Sequence, residues 1–239
     1  KGFSPPTVAE VLPSTGVIST ELEAEQGWNY ETTLRSYLFQ SQLHIELTGY
    51  YFKLNNALVQ RRDLSGADFF VNAGDITQKG LELHTTYEKV YSGSFIRSFS
   101  IGTDIALNHY RYGTFIKGSD NFSGKKVPSV PSTTWVAQGN LRLLSGFYLN
   151  VNFYNASKIY LNDANTAAAE PYHLLGSQLG WKSKKNWPLH IYVGADNLLD
   201  EKYSLGNDIN AAGNRFYNAA PGRNFYVGVA IQWIKPQTP

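Results

Sequence analysis

Apolar and polar residues alternate with a period of two along this chain, again and again, in segments of about ten residues. Near the C-terminus Phe225, Val227, Val229, Ile231 and Trp233 fall on one side, and Tyr226, Gly228, Ala230 and Gln232 on the other. Phe147, Leu149, Val151 and Phe153 oppose Tyr148, Asn150, Asn152 and Tyr154, while Leu189, Ile191, Val193 and Ala195 oppose His190, Tyr192, Gly194 and Asp196. Further back, Phe99, Ile101, Ile105 and Leu107 oppose Ser100, Gly102, Asp104 and Asn108, and Leu43, Ile45 and Leu47 oppose His44, Glu46 and Thr48. Successive side chains of a strand point to opposite faces, so the chain is all-β and its strands are two-faced.

Alternation alone does not say which face meets the solvent. A sandwich buries its apolar faces against each other, whereas a barrel in lipid turns them outward and lines its lumen with the polar side. Connection lengths decide between them. Strands are expected at 28–38, 43–61, 77–90, 98–113, 133–143, 146–156, 172–183, 188–200 and 223–233. Short turns fall near Gln40, from Tyr91 to Arg97, at Ser145 and from Lys184 to Trp187, and they alternate with long Gly, Asn, Asp, Ser and Pro segments at 62–76, 114–132, 157–171 and 201–222. Short periplasmic turns on one rim and long extracellular loops on the other are the arrangement of an outer-membrane barrel.

Composition agrees with that reading. No run of about 18 apolar residues is present, so no helix of this chain crosses a membrane, but a barrel needs no such run. With 42% hydrophobic residues and 16 tyrosines, the balance suits half-lipid, half-water strands. Aromatic girdles are expected from Trp181, Trp187 and Trp233 at the short-turn rim, and from Tyr50, Tyr51, Phe52, Tyr110, Tyr112 and Tyr154 towards the other. The net charge of +2 names no nucleic-acid partner, and the absence of cysteine removes disulfides, thiolate metal sites and thiol nucleophiles together. Nine antiparallel strands cannot close without a parallel pair at the seam, and an open edge in lipid leaves backbone groups unpaired. The chain is therefore expected to be part of a larger barrel, with the export signal that such a protein needs lying upstream of Lys1.

Several phrases carry a family resemblance together. Gly2-Phe3-Ser4-Pro5-Pro6-Thr7-Val8-Ala9-Glu10, then Leu22-Glu23-Ala24-Glu25 leading to Asn29-Tyr30-Glu31, then Asn72-Ala73-Gly74 and Gly80-Leu81-Glu82-Leu83, resemble the barrel of TonB-dependent outer-membrane receptors. Val193 to Tyr203, followed by Pro221-Gly222-Arg223-Asn224-Phe225 and a final alternating strand, resembles the family's last hairpin. The resemblance implies a bacterial outer-membrane barrel of about 22 strands, with an N-terminal plug and energy supplied through TonB. It implies import of a ferric siderophore first, with haem, cobalamin or a glycan as other cargoes. Residues 1–27 would then be an extracellular loop and the end of a preceding strand, 28–233 the C-terminal barrel strands, and 234–239 a tail. The tail departs from the family's usual terminal aromatic. The expected partners are outer-membrane lipid, the plug and the remaining strands, the TonB complex through that plug, and a small iron chelate.

Candidate residues follow from both arguments. Glu31, Glu46, Glu82 and Asp104 share the polar face, where carboxylates meet a water-filled lumen or a plug instead of lipid. Gly80 inside a regular strand points to close backbone approach or a bend. On the long loops Tyr112, Phe115, Lys117, Tyr160, Arg215, Phe216 and Tyr217, along with Lys125 and Lys126, combine rings with cations. That mixture suits an anionic, partly aromatic chelate. No catalytic or cofactor site is expected. Ser119-Asp120-Asn121 lacks the partner motifs of penicillin-binding enzymes, and the five histidines are scattered without metal-ligand spacing. The loops around Asn162-Asp163 and Asn207-Asp208 lack a calcium-site spacing. A passive porin or adhesin barrel, or a soluble all-β carbohydrate-binding module, are the competing classes.

Overall fold

The computed structural model describes residues 1–72, 74–117, 119–183 and 189–231, with Arg62 described through its backbone alone. Ten strands form one antiparallel sheet whose spatial order is the chain order. They are β1 (Gly2–Ser4), β2 (Glu25–Leu38), β3 (Leu43–Asn55), β4 (Asp75–Val90), β5 (Ile96–Tyr112), β6 (Thr133–Leu143), β7 (Phe147–Ala156), β8 (Tyr172–Lys182), β9 (Leu189–Asp196) and β10 (Asn224–Ile231). β1 and β10 are the two edges and do not pair with each other, so the sheet is an open stretch of barrel wall. Such a meander needs only short turns on each rim, and every long connection here lies on one rim. The segments 5–24, 56–74, 113–132, 157–171 and 197–223 all leave from that side.

Register fixes the two faces. Leu34 sits opposite Leu47, Leu47 opposite Leu83, Leu83 opposite Ile105 and Ile105 opposite Trp135. A second apolar row runs through Leu141, Leu149, Leu179, Val193 and Val227. Shifting by one residue gives the other face, where Arg35, Glu46, His84 and Asp104 stand in line. Among the described residues no layer covers the apolar face. Leu34 is 68% exposed, Leu179 50% and Val227 76%. A soluble protein does not leave so extensive an apolar surface bare, whereas hydrocarbon solvates it.

The buried core lies elsewhere, in the loop layer. One cluster joins Ala57, Ile76, Tyr112 and Phe115, and another joins Leu161, Ala169, Ala211 and Phe216. β5 has 17 residues and β4 has 16, against the roughly 9–11 that cross a bilayer, so this part of the wall rises beyond the lipid to carry those clusters.

Several expectations are corrected. The strand expected at 43–61 breaks at Asn56, which takes a left-handed backbone at φ 56°. Leu58–Arg62 then folds against Asp68–Asn72 as a hairpin above the wall. Three of the other long loops hold hairpins too, pairing Ile116–Lys117 with Asp120–Asn121, Ile159–Tyr160 with Ala168–Ala169, and Ser204–Asn207 with Tyr217–Ala219, while 5–24 carries one short helix at Val8–Val11. Pairs this short fall below any readable periodicity. The strand expected at 188–200 ends at Asp196, because Asn197 closes a turn by accepting from the Glu201 N–H and donating to the Glu201 carbonyl, both at 2.9 Å.

The upper girdle is also reassigned. Of the residues expected there, only Tyr51 lies on the apolar face; Tyr50, Phe52, Tyr110, Tyr112 and Tyr154 lie on the polar one. Instead Trp28, Tyr30, Trp135, Phe153 and Phe225 bring rings to the lipid side near the long-loop ends of their strands. At the other rim Trp181 faces Phe147, and Trp187 and Trp233 lie outside the described residues, as do Ala73, Gln232 and the tail 234–239.

Candidate functional site

Two surfaces can meet a solute, the polar face of the wall and the loop layer above it. On the wall, tyrosine and glycine alternate across strands. A Cβ at Gly80 would collide with the Tyr50 hydroxyl and the Leu107 carbonyl, so the ring lies over backbone left bare by the glycine. Tyr148 covers Gly180, Tyr192 covers Gly228 and Tyr226 covers Gly194 in the same way. The rings are thereby fixed flat against the inner wall, and their hydroxyls reach polar neighbours. Tyr50 donates to Asn108 Oδ1 at 2.8 Å and Tyr148 shares a 2.8 Å bond with His190.

Glu31, Glu46, Glu82 and Asp104 all stand on this face by register. Arg35 Nε donates to Glu46 at 2.5 Å with a second bond from Nη2 at 3.3 Å, a forked, charge-assisted pair. His84 Nδ1 lies 2.5 Å from Asp104, and its Nε2 is 3.1 Å from the Thr86 hydroxyl. An ionised carboxylate can only accept, so Nδ1 carries a proton towards Asp104. Glu31 and Glu82 line a separate shallow recess with Asn29, Tyr50, Gln78 and Tyr110.

The loop layer is locked at one point. The guanidinium of Arg61, only 3% exposed, forms an ion pair with Asp163, whose side chain is 4% exposed. Tyr112 donates to the same carboxylate at 2.6 Å, and the Asp163 N–H donates to Asn210 Oδ1 at 3.1 Å. Three loops and the end of β5 therefore converge on one buried charge pair. The Phe115 ring lies 4.6 Å from the Arg61 carbon and the Phe122 ring 5.9 Å, adding cation–π attraction. Burial lowers the affinity of Arg61 for its proton, yet an arginine keeps its charge at any ordinary pH.

Of the seven loop residues singled out from the sequence, the structure puts three inside. Tyr112, Phe115 and Phe216 are 3%, 3% and 5% exposed, so they build the apolar cores of the loops and do not offer open rings. Lys117 and Arg215 are exposed, and Tyr160 is partly so between Lys126 and Lys158, at 5.8 and 5.6 Å. Tyr217 is exposed and anchors its hairpin by donating to the Ala168 carbonyl at 3.0 Å. Lys117 is held below the ordinary lysine value by desolvation and by the nearby Arg61. Arg61 and Asn210 were missed, and Asp163 was weighed only for calcium, because nothing local in the sequence marks a contact between distant loops. Among the described residues no group of His, Cys, Asp and Glu is placed to hold a metal.

The chain shares its fold with part of several longer receptors and transporters. The ferric yersiniabactin uptake receptor FyuA from Yersinia pestis superposes with a TM-score of 0.63 at 20% identity over 86% of this chain and 29% of its own. The siderophore receptor PiuA from Acinetobacter baumannii gives 0.69 at 16% identity over 90% and 30%. The copper transporter OprC gives 0.71 at 14% identity over 97% and 36%. The chain thus spans about a third of the length of these relatives. Its sequence matches the family described as TonB dependent receptor-like, beta-barrel, over residues 1–198. With that match covering most of its length, the chain belongs to the TonB-dependent receptor β-barrel family.

Proposed function

We propose that this chain is the C-terminal wall and loop layer of an energy-coupled outer-membrane receptor that captures a small metal chelate outside the cell and imports it. A ferric siderophore or related iron chelate is the first candidate cargo. The observation that carries the reading is the loop layer itself, where hairpins pinned by Arg61 and Asp163 hold Lys117, Lys126, Lys158 and Tyr160 above a polar, tyrosine-lined wall. Cations and rings together suit an anionic, partly aromatic ligand. Names of the solved relatives support the class, since a ferric yersiniabactin receptor and a siderophore receptor are among them. OprC is named as a copper transporter, which also fits a metal-bearing cargo.

In this reading lipid is the partner of the apolar face, and the plug and remaining strands meet the Glu31, Glu46, Glu82 and Asp104 side. TonB acts through the plug, and no nucleic acid is involved. The test is uptake of radiolabelled ferric chelates by cells that carry or lack the whole receptor under iron limitation. Chelate-dependent growth and uptake that vanish with the receptor are expected. Passive, energy-independent entry of unrelated solutes of similar size would point to a porin instead.

A further inference from the structure

The polar face of the wall divides by charge. β2 to β5 carry Glu31, Glu46, Glu82, Glu88 and Asp104 on it, whereas β6, β7 and β8 contain no aspartate or glutamate at all. On these three strands the polar face presents amides first and cations last. From the long-loop rim downward, Gln138 stands opposite Asn152, then Asn140 opposite Asn150 and Asn150 opposite Gln178, and then Arg142 opposite Tyr148. At the foot of this lane lies a cavity of about 520 Å³ lined by Arg97, Arg142, Lys182, His190, Tyr148 and Gln178 among others, with no carboxylate in its lining. Arg97, Arg142 and Lys182 are exposed, and among the described residues none of them meets a carboxylate, while Arg35 and His84 on the acidic side each do. The floor of the cavity is set in advance. Tyr148 lies flat over Gly180, donates to Gln178 Oε1 at 3.2 Å and shares a 2.8 Å bond with His190 Nε2, and Asn150 Nδ2 donates to the same Gln178 oxygen at 3.3 Å. Those neutral groups satisfy one another, and Lys182 Nζ stands 5.7 Å from the centre of the Tyr148 ring, so the open donors of the cavity are its cations.

We infer that this cavity is an exit-side anion site, which receives the carboxylate or phosphate oxygens of the transported solute as it leaves the lumen at the short-turn rim. The inference rests on the reading of the chain as part of an import receptor, and it adds a route to that reading. A concavity lined by one sign of charge focuses the field and gathers counter-ions. Two guanidinium forks beside an ammonium suit an oxyanion, because each fork meets two oxygens at once. Repelled by the carboxylates of β2 to β5, an anionic solute passes down β6 to β8, where the amides of Gln138, Asn140 and Asn152 solvate its oxygens without holding them by charge. The volume lies within the roughly 300–1,000 Å³ of small-molecule sites and accommodates the anionic part of a chelate. A lipid phosphate has the same chemistry. The register favours the solute, since Arg142 and Lys182 stand on the face opposite to Leu141, Leu149 and Leu179.

The experiment uses the whole receptor in detergent, with labelled inorganic pyrophosphate as the probe, read by equilibrium dialysis at low salt. Wild type should retain pyrophosphate, and less of it as salt is raised. Arg142→Gln and Lys182→Gln, both at exposed positions, should each weaken retention by at least about tenfold, the weight of one hydrogen bond to a charged group. Lys89→Gln, at the same rim but opposite Phe99 on the apolar face, should leave it unchanged. Phosphatidylglycerol added to the micelles should not displace the probe. If one of the two cavity variants fails to fold, the other decides. No retention by wild type, unchanged retention in a folded cavity variant, an equal loss in Lys89→Gln, or displacement by phosphatidylglycerol would each overturn the inference. Uptake of labelled ferric chelate by cells, measured in parallel, separates it from the import reading. Arg142→Gln and Lys182→Gln should lower the maximal uptake rate and leave chelate affinity at the cell surface unchanged. Pyrophosphate binding with no uptake even in wild type counts against import, and an unchanged maximal rate in both variants counts against the exit site.

Discussion

Leu81 and Glu82 are neighbours in β4, and replacing each in turn by arginine asks directly which face of the wall meets hydrocarbon. Leu81 stands opposite Gly49 and Leu107 on the apolar face and is 50% exposed. Glu82 stands opposite Thr48 and Ala106 on the polar face. An arginine on the lipid side near the bilayer midplane costs about 2–4 kcal/mol, while one facing the lumen keeps its hydration. At about 1.4 kcal/mol per tenfold, Leu81→Arg should lower the folding equilibrium by up to roughly 700-fold, the midplane value being the upper bound for a position two residues from Lys79 on the same face. Glu82→Arg should change it by less than about 1 kcal/mol, the range of an exposed charge pair. The assay is reversible urea unfolding of the whole receptor in lipid vesicles, comparing midpoints at unchanged slope. Equal penalties at the two positions, or a larger one at Glu82, would refute the assignment of faces and with it the barrel reading.

Three further outcomes are expected. Gly80→Ala should destabilise the barrel by about 1–3 kcal/mol, because the new methyl meets the Leu107 carbonyl and the Tyr50 hydroxyl, whereas Gly139→Ala, with open space around it, should cost nothing measurable in the same unfolding assay. Asp163→Asn leaves the buried Arg61 without its counter-charge and should weaken the loop layer by about 3–5 kcal/mol, seen as rapid protease cleavage in segments 56–74 and 157–171 with the wall intact. Asp63 accepts from the Ser65 hydroxyl and from the Ala67 N–H, which hold its carboxyl below the usual aspartate value. A depressed value means that the turn gains support above the unfolded-state value and loses it as pH falls through the folded one. Protection of the Ser65 and Ala67 amides, relative to their intrinsic exchange at each pH, should therefore fall on acidification below the ordinary carboxylate range, and Asp63→Asn should abolish that dependence.

The strands were legible because their information is local. A period of two along β7 or β10 assigns Leu149 and Val227 to one face without knowing any neighbour, and loop length sorts the rims in the same way. Even there, polarity misled where tyrosine was concerned. Tyr50, Tyr110 and Tyr154 suit a membrane interface by composition, and only the register of β2 to β7 turns them inward, Tyr50 over Gly80. Gly80 itself was readable as a point of close approach, but the ring that fills it comes from another strand.

The candidate site divides along the same line. That the long loops carry cations and rings is written in the residues, as is the placing of Glu46 and Asp104 on the wall's polar side. Which rings stay open and which become core was decided by contacts between loops far apart in the chain, such as Tyr112 with Asp163 and Leu161 with Asn210. The physical reason is that alternation records the solvent on each side of a strand, a one-residue property, whereas a buried ion pair between two hairpins exists only once the wall beneath has brought them together.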